Sequence, residues 1–153
     1  FVSEKEILVP LNTASNNGYL MNYDQEQGKS APSSLNNAVN FPPQLYSGFI
    51  AITTTYEVLT IQLNKLTLLS TYFSSIKILS SAISNGKYTY FFNDAGEVLS
   101  VNLKGEVVWK YPIKKISKDT ISKLSGQPCI LTNYLIFPFK NTLVLFELMK
   151  ENE

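Results

Sequence analysis

The chain contains no histidine, a single cysteine and a single tryptophan among its 153 residues. Histidine is the most common general acid–base group and the usual partner of a serine or cysteine nucleophile, so its absence removes both kinds of site. One cysteine cannot form an internal disulfide. Because the residues around Cys129 are apolar, we expect it to be a buried small hydrophobic residue rather than a nucleophile.

The acidic residues are dispersed along the chain. Asp24, Asp94 and Asp119 stand alone in predicted turns. This spacing does not supply the clustered oxygen ligands that Ca²⁺ requires, or a carboxylate pair for acid–base chemistry. The sequence therefore predicts no catalytic residue, no cofactor-binding residue and no metal ligand, and it predicts that the protein is not an enzyme.

The chain also lacks an excess of charge, with 13 basic and 12 acidic residues and a net charge of +1. A nucleic-acid or anionic-membrane partner is therefore not favoured. No apolar run reaches the roughly 18 residues of a membrane-spanning helix, so no transmembrane segment is predicted. The sequence opens on Phe1 without a charged-then-apolar leader, which leads us to expect a piece of a longer protein.

What the sequence does contain is an internal repeat. Four stretches of seven residues begin 39, 40 and 45 residues apart: GYLMNYD (18–24), EVLTIQL (57–63), EVLSVNL (97–103) and TLVLFEL (142–148). Each follows another apolar stretch across a short polar turn, such as Lys140-Asn141, and a further turn follows the second copy at Asn64-Lys65. Further upstream in three units, Ser47-Gly48, Asn85-Gly86 and Thr132-Asn133 occupy equivalent positions, where glycine and asparagine tolerate a positive φ.

Each unit of about 40 residues is predicted to be a four-stranded antiparallel meander. The inner strands are apolar over most of their length, which indicates burial on both faces. Sheets arranged radially achieve this, so we predict an all-β fold: a partial β-propeller of about four blades. The alternative is a β-sandwich of unrelated hairpins.

The chain is predicted to be a single domain over residues 1–153, a fragment of a larger propeller with units at about 1–40, 41–79, 80–125 and 126–153. The first and last blades look incomplete. Residues 28–43 are rich in serine, asparagine and proline and are predicted to connect two blades. Residues 113–128 form a long loop that could hold one helical turn.

The third unit resembles the repeat of the pyrroloquinoline-quinone-type propellers, through Gly86, Gly96, Val98, Leu103, Gly105 and Trp109. The second unit keeps Gly48, Val58 and Leu63, with Tyr72 near the tryptophan position. The first keeps Asp24 and Gly28, and the fourth diverges most. The resemblance implies that Trp109 packs between blades, and we expect it to be largely buried. Gly96 and Gly105 are predicted to occupy turns, at least one of them with a positive φ.

Members of this family are used in different ways. The quinoprotein dehydrogenases among them hold a quinone and Ca²⁺, and this chain lacks their clustered oxygen ligands and their cysteine pair. Among the functions found in this family, the chain most resembles that of the propeller lipoprotein of the bacterial outer-membrane β-barrel assembly machinery. That implies a non-enzymatic, protein-binding scaffold without a cofactor, located outside the cytoplasm, in the bacterial periplasm or at the periplasmic face of the outer membrane.

Two alternatives stay open at this point. The chain could be a fragment of a quinoprotein dehydrogenase, or a self-associating luminal or periplasmic sensor domain. Its expected partner is a protein, and an incomplete propeller is expected to self-associate through open sheet edges. Possible contact residues are Tyr46, Tyr56, Tyr72 and Tyr88, but none is assigned to a site because strand tyrosines usually pack between sheets.

Overall fold

The computed structural model describes residues 6–15, 17–63, 67–113, 124–140 and 142–148, which form four antiparallel sheets. Sheet I contains β1 (Glu6–Asn12), β2 (Gly18–Asp24) and β3 (Lys29–Ser34). Sheet II contains β4 (Gln44–Tyr46), β5 (Phe49–Thr53), β6 (Glu57–Gln62) and β7 (Thr67–Phe73). Sheet III contains β8 (Ile83–Ser84), β9 (Tyr88–Phe92), β10 (Glu97–Asn102) and β11 (Val107–Pro112). Sheet IV contains β12 (Cys129–Leu131), β13 (Tyr134–Phe139) and β14 (Thr142–Glu147).

Every sheet is a meander, because each strand pairs with the one before it in the sequence. The aligned tight turns lie between the first two strands of sheets II, III and IV. Ser47 and Gly48 have φ values of 49° and 82°, Gly86 has 89° and Thr132 has 54°. The predicted equivalence of these turns is confirmed, including a positive φ at two residues that are not glycine.

The second and third units share an irregularity that the sequence did not reveal. In β6 and β7 the register shifts between Thr60 and Ile61, and in β10 and β11 it shifts between Ser100 and Val101. A bulge at the same place in two sheets is the mark of a repeated structural unit. The register pairs Trp109 with Ser100, and Ser70 with Thr60. Tyr72 is therefore the counterpart of Tyr111, two residues beyond the tryptophan position.

The core lies between consecutive sheets. Val58 and Leu59 are neighbours in β6, yet Leu59 packs with Leu20 of sheet I and Val58 packs with Phe91 of sheet III. A third cluster joins Val98 of sheet III to residues of sheet IV, including Phe137. Both faces of the inner strands of sheets II and III are thus buried, as predicted. The four sheets stack in chain order as the blades of a partial β-propeller, and not as the two facing layers of a sandwich.

Two sequence predictions are wrong in detail. The alignment of the first repeat copy is out of register. It places Leu20 at the position of Leu59, which faces the preceding sheet, whereas Leu20 faces the following sheet and packs with Leu59. Residues 28–43 are also more than a connection, since Lys29–Ser34 forms β3. A strand at the margin of a sheet needs only backbone pairing on one side, so a sequence rich in serine and proline suffices there.

The strands of each sheet fall within one predicted unit, while the prediction of a single domain stays untested. Sheets I and IV have three strands each among the described residues, where sheets II and III have four. The predicted turn at Asn64-Lys65 lies outside the described residues, and so does Asn141 of the predicted Lys140-Asn141 turn. So do Asp119 and the predicted helical turn of the loop, within residues 114–123.

Gly96 and Gly105 were predicted to occupy turns, and both have a positive φ, 77° and 78°. Gly105 also approaches sheet II, because a Cβ atom built on it would lie 2.9 Å from the carbonyl oxygen of Thr71. Gly105→Val should therefore lower the free energy of unfolding by more than about 2 kcal/mol, through both backbone strain and a clash. The measurement is a urea melt.

Gly48→Val is the matched control, because Gly48 has a similar φ of 82° but no atom within 4 Å of its added Cβ. It should cost only the backbone strain. Equal losses in the two variants would show that the approach of Gly105 to sheet II contributes nothing. Melting of Gly105→Val at the wild-type denaturant concentration would contradict the turn itself.

A second prediction concerns Glu57, at the start of β6. Its side chain is buried, and Oε2 has no hydrogen-bond partner among the described residues. Burial raises the pKa of the Glu57 carboxyl, and hydrogen bonds from Asn36 oppose that shift. A raised folded-state pKa means that the folded protein binds this proton more tightly than the unfolded chain. The contribution to stability is therefore greatest below the unfolded pKa and is lost as pH rises through the folded pKa.

Glu57→Gln removes the buried charge, so its unfolding free energy at pH 7 should equal or exceed that of the wild type. The difference between the two proteins should shrink as the pH is lowered toward 4. Urea melts across this range measure it. A variant that is less stable than the wild type at pH 7 would show that the carboxylate is stabilised in its charged form.

Candidate functional site

A cleft of about 1110 Å³ lies between the outer strands of sheets III and IV. Its walls are β11 with the ends of β9 on one side and β14 on the other. The strand order of sheet III runs from β8 through β9 and β10 to β11, so the cleft opens at the side of the sheets where the last strands lie. It is the candidate site because apolar walls and a few polar groups converge in it.

Aromatic rings line the cleft. The ring of Phe146 in β14 lies 5.4 Å from that of Trp109 and 5.5 Å from that of Tyr111, centroid to centroid. Trp109 also lies 6.3 Å from Tyr90 of its own sheet. These spacings are typical of tilted and edge-on aromatic pairs, which stabilise beyond their buried area. The aromatic pairs hold sheets III and IV together at the cleft floor.

Trp109 is therefore largely covered between sheets, as predicted, although part of its surface stays exposed. Its position in β11, at the open end of sheet III, leaves part of the indole facing the cleft. Sequence reasoning could not see this, because the exposure depends on what lies beside β14.

Polar groups in the cleft are few. Ser100 is buried, and its hydroxyl has no hydrogen-bond partner among the described residues. The hydroxyl of Tyr90 accepts a long hydrogen bond of 3.5 Å from Asn85. Burial, followed by the neighbouring Tyr88, raises the pKa of Tyr90 to about 12, so it stays protonated at neutral pH. The cleft thus offers hydroxyl groups rather than a charged nucleophile.

Charged groups stand at the margin of the cleft. The ammonium of Lys87 lies 5.3 Å from the centroid of the Tyr88 ring. Lys110 forms an ion pair with Glu97 at 3.7 Å, and Asn133 donates to Glu147 at 3.4 Å. Exposed pairs of this kind contribute little to stability. They leave the interior of the cleft apolar.

β14 presents an open edge beside the cleft. It is the last strand of sheet IV, and among the described residues it pairs only with β13. The amide of Leu148 donates to Asn133 on the β13 side. Because antiparallel strands alternate their hydrogen bonds from side to side, Leu143, Leu145 and Glu147 direct their backbone groups away from β13. Among the described residues, no strand pairs with this edge of β14.

The face of sheet IV that points away from sheet III is apolar and exposed; we call it the outward face of sheet IV. Cross-strand register places Leu131 with Tyr134, Cys129 with Ile136 and Leu145, and Pro138 with Leu143. Leu131, Leu143 and Leu145 are 64%, 61% and 54% exposed. This face is therefore a candidate contact surface.

Cys129 belongs to this face and is exposed, so the prediction that it is buried is wrong. Strand side chains alternate between two faces, and Ile130 takes the buried one. Apolar neighbours in the sequence indicated a strand correctly, but they did not indicate which face the cysteine occupies.

Sheet I has an outward face as well, on the side away from sheet II. Register pairs Val9 with Met21 and Leu11 with Tyr19, and Tyr23 follows on the same face of β2. Val9, Leu11 and Tyr23 are exposed, and Met21 is half-buried. The stack of sheets therefore ends in an apolar surface at both ends.

The four tyrosines considered as contacts are scattered. Tyr46 packs against the core between sheets III and IV, and Tyr72 lies 5.4 Å from Phe91 in the core between sheets II and III. Tyr56 is exposed on sheet II, and Tyr88 alone lines the cleft. Sequence reasoning missed Phe146, Ser100 and Tyr90, whose convergence depends on the packing of two sheets.

The isolated aspartates that the structure describes have local roles. The Asp24 carboxylate accepts the backbone N–H groups of Glu26 and Gln27 and so shapes the turn before β3. The backbone amide of Asp94 donates to Lys77. Among the described residues, no three His, Cys, Asp or Glu side chains come together as a metal site. In the same ranges, no helix has the length and apolar character to cross a bilayer.

Solved structures show what the arrangement of sheets is similar to. BamB from Moraxella catarrhalis aligns over 96% of this chain and 48% of its own, with a TM-score of 0.63 and 13% identity. The computationally designed Ika8 protein aligns over 96% and 44%, with a TM-score of 0.68 and 10% identity. The designed Ika4 protein aligns over 93% and 86%, with a TM-score of 0.64 and 11% identity.

The fold is that of a β-propeller. The chain spans about half the length of BamB and of Ika8. No family model and no curated protein matches the sequence, so the likeness is one of fold alone.

The half-burial of Trp109 sets the expected effect of its removal. Trp109→Ala should lower the unfolding free energy by about 2 kcal/mol, roughly half of what a fully buried tryptophan contributes. Val108→Ala is the control, because Val108 is exposed in the same strand and should cost under about 0.5 kcal/mol. Urea melts measure both, and a loss below about 1 kcal/mol for Trp109→Ala would show that its contacts with Phe146 do not hold sheets III and IV together.

Proposed function

We propose that this chain is a non-enzymatic, protein-binding scaffold whose main contact surfaces are the outward faces of sheets I and IV. The observation that carries the proposal is the exposure of Leu131, Leu143 and Leu145 on the outward face of sheet IV. Their counterparts in the inner sheets are buried against the next sheet. Val98, which aligns with Leu143, is fully buried between sheets III and IV.

The two outward faces are of complementary kinds. At each internal junction, one sheet presents the face equivalent to the outward face of sheet IV, and the next presents the face equivalent to the outward face of sheet I. A second copy therefore supplies both missing surfaces, so the simplest partner is the chain itself. Sheet I of each copy would stack on sheet IV of the other around a two-fold axis. The chain covers 48% of BamB and 44% of Ika8, so a propeller built from two copies of this chain would be about as long as either protein, which supports the proposal.

The protein partner and location follow from the family resemblance and are part of the proposal. We place the scaffold outside the cytoplasm, in the bacterial periplasm or at the periplasmic face of the outer membrane, with a role in envelope or outer-membrane protein assembly. The likeness to BamB supports a propeller of this kind. Fractionation of the source cells with an antibody to this chain tests the location, and recovery with cytoplasmic markers would contradict it.

Self-association is tested by sedimentation velocity. At micromolar concentration the 153-residue chain should sediment as a dimer. Leu143→Asp should convert it to a monomer, because a carboxylate on the outward face of sheet IV would be desolvated in the contact. Leu68→Asp is the control: Leu68 is 52% exposed on β7, apart from both outward faces, and its replacement should leave the dimer intact.

A monomeric wild type with slow amide exchange in every described strand would contradict the proposal. It would show that the apolar faces need no partner. A dimer that Leu68→Asp and Leu143→Asp disturb equally would contradict the assignment to the outward face of sheet IV.

A further inference from the structure

We propose that Glu57 and residues 35–40, which we call the strap, form a proton-operated latch between sheets I and II. The strap follows β3 and leads to β4, so it is the covalent link between the two sheets. The latch is closed while the Glu57 carboxyl carries a proton, and the strap lifts off sheet II when the carboxyl ionises. This device lies at an internal junction and does not depend on the outward faces of sheets I and IV.

The strap is tied firmly to sheet I. The amide of Leu35 donates to the carbonyl oxygen of Gly18 at 2.9 Å. The side chain of Asn12 donates to the carbonyl oxygen of Val39 and accepts its amide, both at 2.8 Å. Because these bonds join both parts of the strap to sheet I, we expect the strap and sheet I to move together.

The backbone pairing of the strap with sheet II is weaker than the equivalent pairing in the next unit. The amide of Asn40 donates to the carbonyl oxygen of Thr53 over a long 3.3 Å, and its side chain donates to the hydroxyl of Thr55. In the link between sheets II and III, the amide of Leu79 donates to Phe92 at 2.8 Å. The junction between sheets I and II is therefore the easier of the two to open.

Glu57 lies beneath the strap and is 4% exposed. It faces sheet I, because Leu59 lies on the same face of β6 and packs against sheet I. Its Oε1 accepts one long hydrogen bond of 3.4 Å from the side chain of Asn36, and Oε2 has no partner among the described residues. An ionised carboxylate in this position is poorly satisfied, and lifting the strap gives it water.

Sheet III shows what a charged carboxylate needs in the same position. Glu97 begins β10 as Glu57 begins β6, and it is partly exposed. The side chain of Asn93 donates to its Oε2 at 3.4 Å, and the ammonium of Lys110 lies 3.7 Å from its Oε1. The strand register places Thr71 where sheet III has Lys110. Glu57 therefore keeps the acidic group of the repeat without its counterion.

Among the described residues, no charged side chain faces Glu57. The strap and β7 contain no Asp, Glu, Lys or Arg. In sheet I, the strand register places the charged groups at the end away from Gly18 and the strap: Glu6, Asp24 and Lys29. Tyr19 and Tyr23 belong to the outward face of sheet I. The remaining ionisable groups lie toward sheet III: Tyr56, Tyr72, Lys77, Glu97 and Lys110.

The direction of the switch follows from these surroundings. Burial raises the pKa of the Glu57 carboxyl in the closed form, and hydrogen bonds from Asn36 oppose that shift. In the open form the carboxyl is hydrated and has the usual pKa of a glutamate. The closed form therefore binds the proton more tightly, and it loses stability relative to the open form as pH rises from that usual pKa through the raised one.

The wild-type protein tests the latch without any substitution, by NMR. The carboxyl carbon of Glu57 should titrate above the usual range of a glutamate. Over the same range, the protection factor of the Asn40 amide against hydrogen exchange should fall by up to about tenfold per pH unit, because opening releases one proton. The protection factor of the Leu79 amide is the internal control and should stay constant, because Glu97 in that junction has its partners.

The variants transfer the ion pair of sheet III to sheet II. Thr71→Lys gives Glu57 the counterion that Lys110 gives Glu97, so the pKa of Glu57 should fall and the Asn40 protection factor should no longer depend on pH above 5, roughly the upper end of the usual glutamate range. Thr71→Met adds a side chain of similar length without the charge and should behave as the wild type. Glu57→Gln removes the titrating group, so Asn40 should stay protected at every pH.

Three outcomes overturn the proposal. The first is a Glu57 carboxyl that titrates in the usual range of a glutamate. The second is an Asn40 protection factor that is independent of pH in the wild type, or that falls equally in Glu57→Gln. The third is an equal fall at Leu79, which would show a loss of stability throughout the protein rather than at this junction. The wild-type titration and Thr71→Lys decide the matter if Glu57→Gln does not fold.

Discussion

Burial of both faces of the central strands is the constraint on which the rest of the structure depends. In β6 and β10, successive side chains pack into different clusters, one with the preceding sheet and one with the following sheet. A single meander cannot bury two faces, so the inner sheets need a neighbour on both sides. Sheets I and IV have a described neighbour on one side only, and their other faces expose apolar side chains of the kind that the inner sheets bury. The exposed leucines of sheet IV and the exposed Val9 and Leu11 of sheet I are these side chains.

Buried hydrogen bonds set how the sheets meet. The hydroxyls of Thr60 and Thr89 lie 2.7 Å apart between sheets II and III, and the amide of Ala82 donates to the hydroxyl of Thr53 at 2.8 Å. Apolar contacts alone would let one sheet slide over the next, whereas paired polar groups have a definite position. Ser100 stands at the position of Thr60 in the next unit and has no such partner among the described residues. The junction between sheets III and IV is thus less complete than the one before it, and the cleft lies there.

How far the sequence predicted these features differs from residue to residue. The predictions for Gly105 and for the turn of Ser47 and Gly48 were correct, because a tight turn depends on a few adjacent residues and a positive φ. The predicted register of Leu20 placed its side chain on the wrong face of the sheet. An apolar stretch without strict alternation does not indicate which face each residue occupies. The exposure of Cys129 was missed for a related reason. Its burial depends on whether another sheet covers that face of sheet IV, which no local sequence pattern indicates.

The sequence by itself determined the strands, the turns and their repetition, and hence the propeller class, because these follow from the local alternation of apolar residues and from backbone preferences. Only the tertiary structure decided which faces stay exposed, where the edge of β14 lies, and that Trp109, Phe146 and Ser100 converge on one cleft. These residues are far apart in the chain, and their meeting depends on the stacking of two sheets. The physical reason is that pairing within a sheet is encoded by neighbours along the chain, whereas the space between sheets exists only once the sheets have packed.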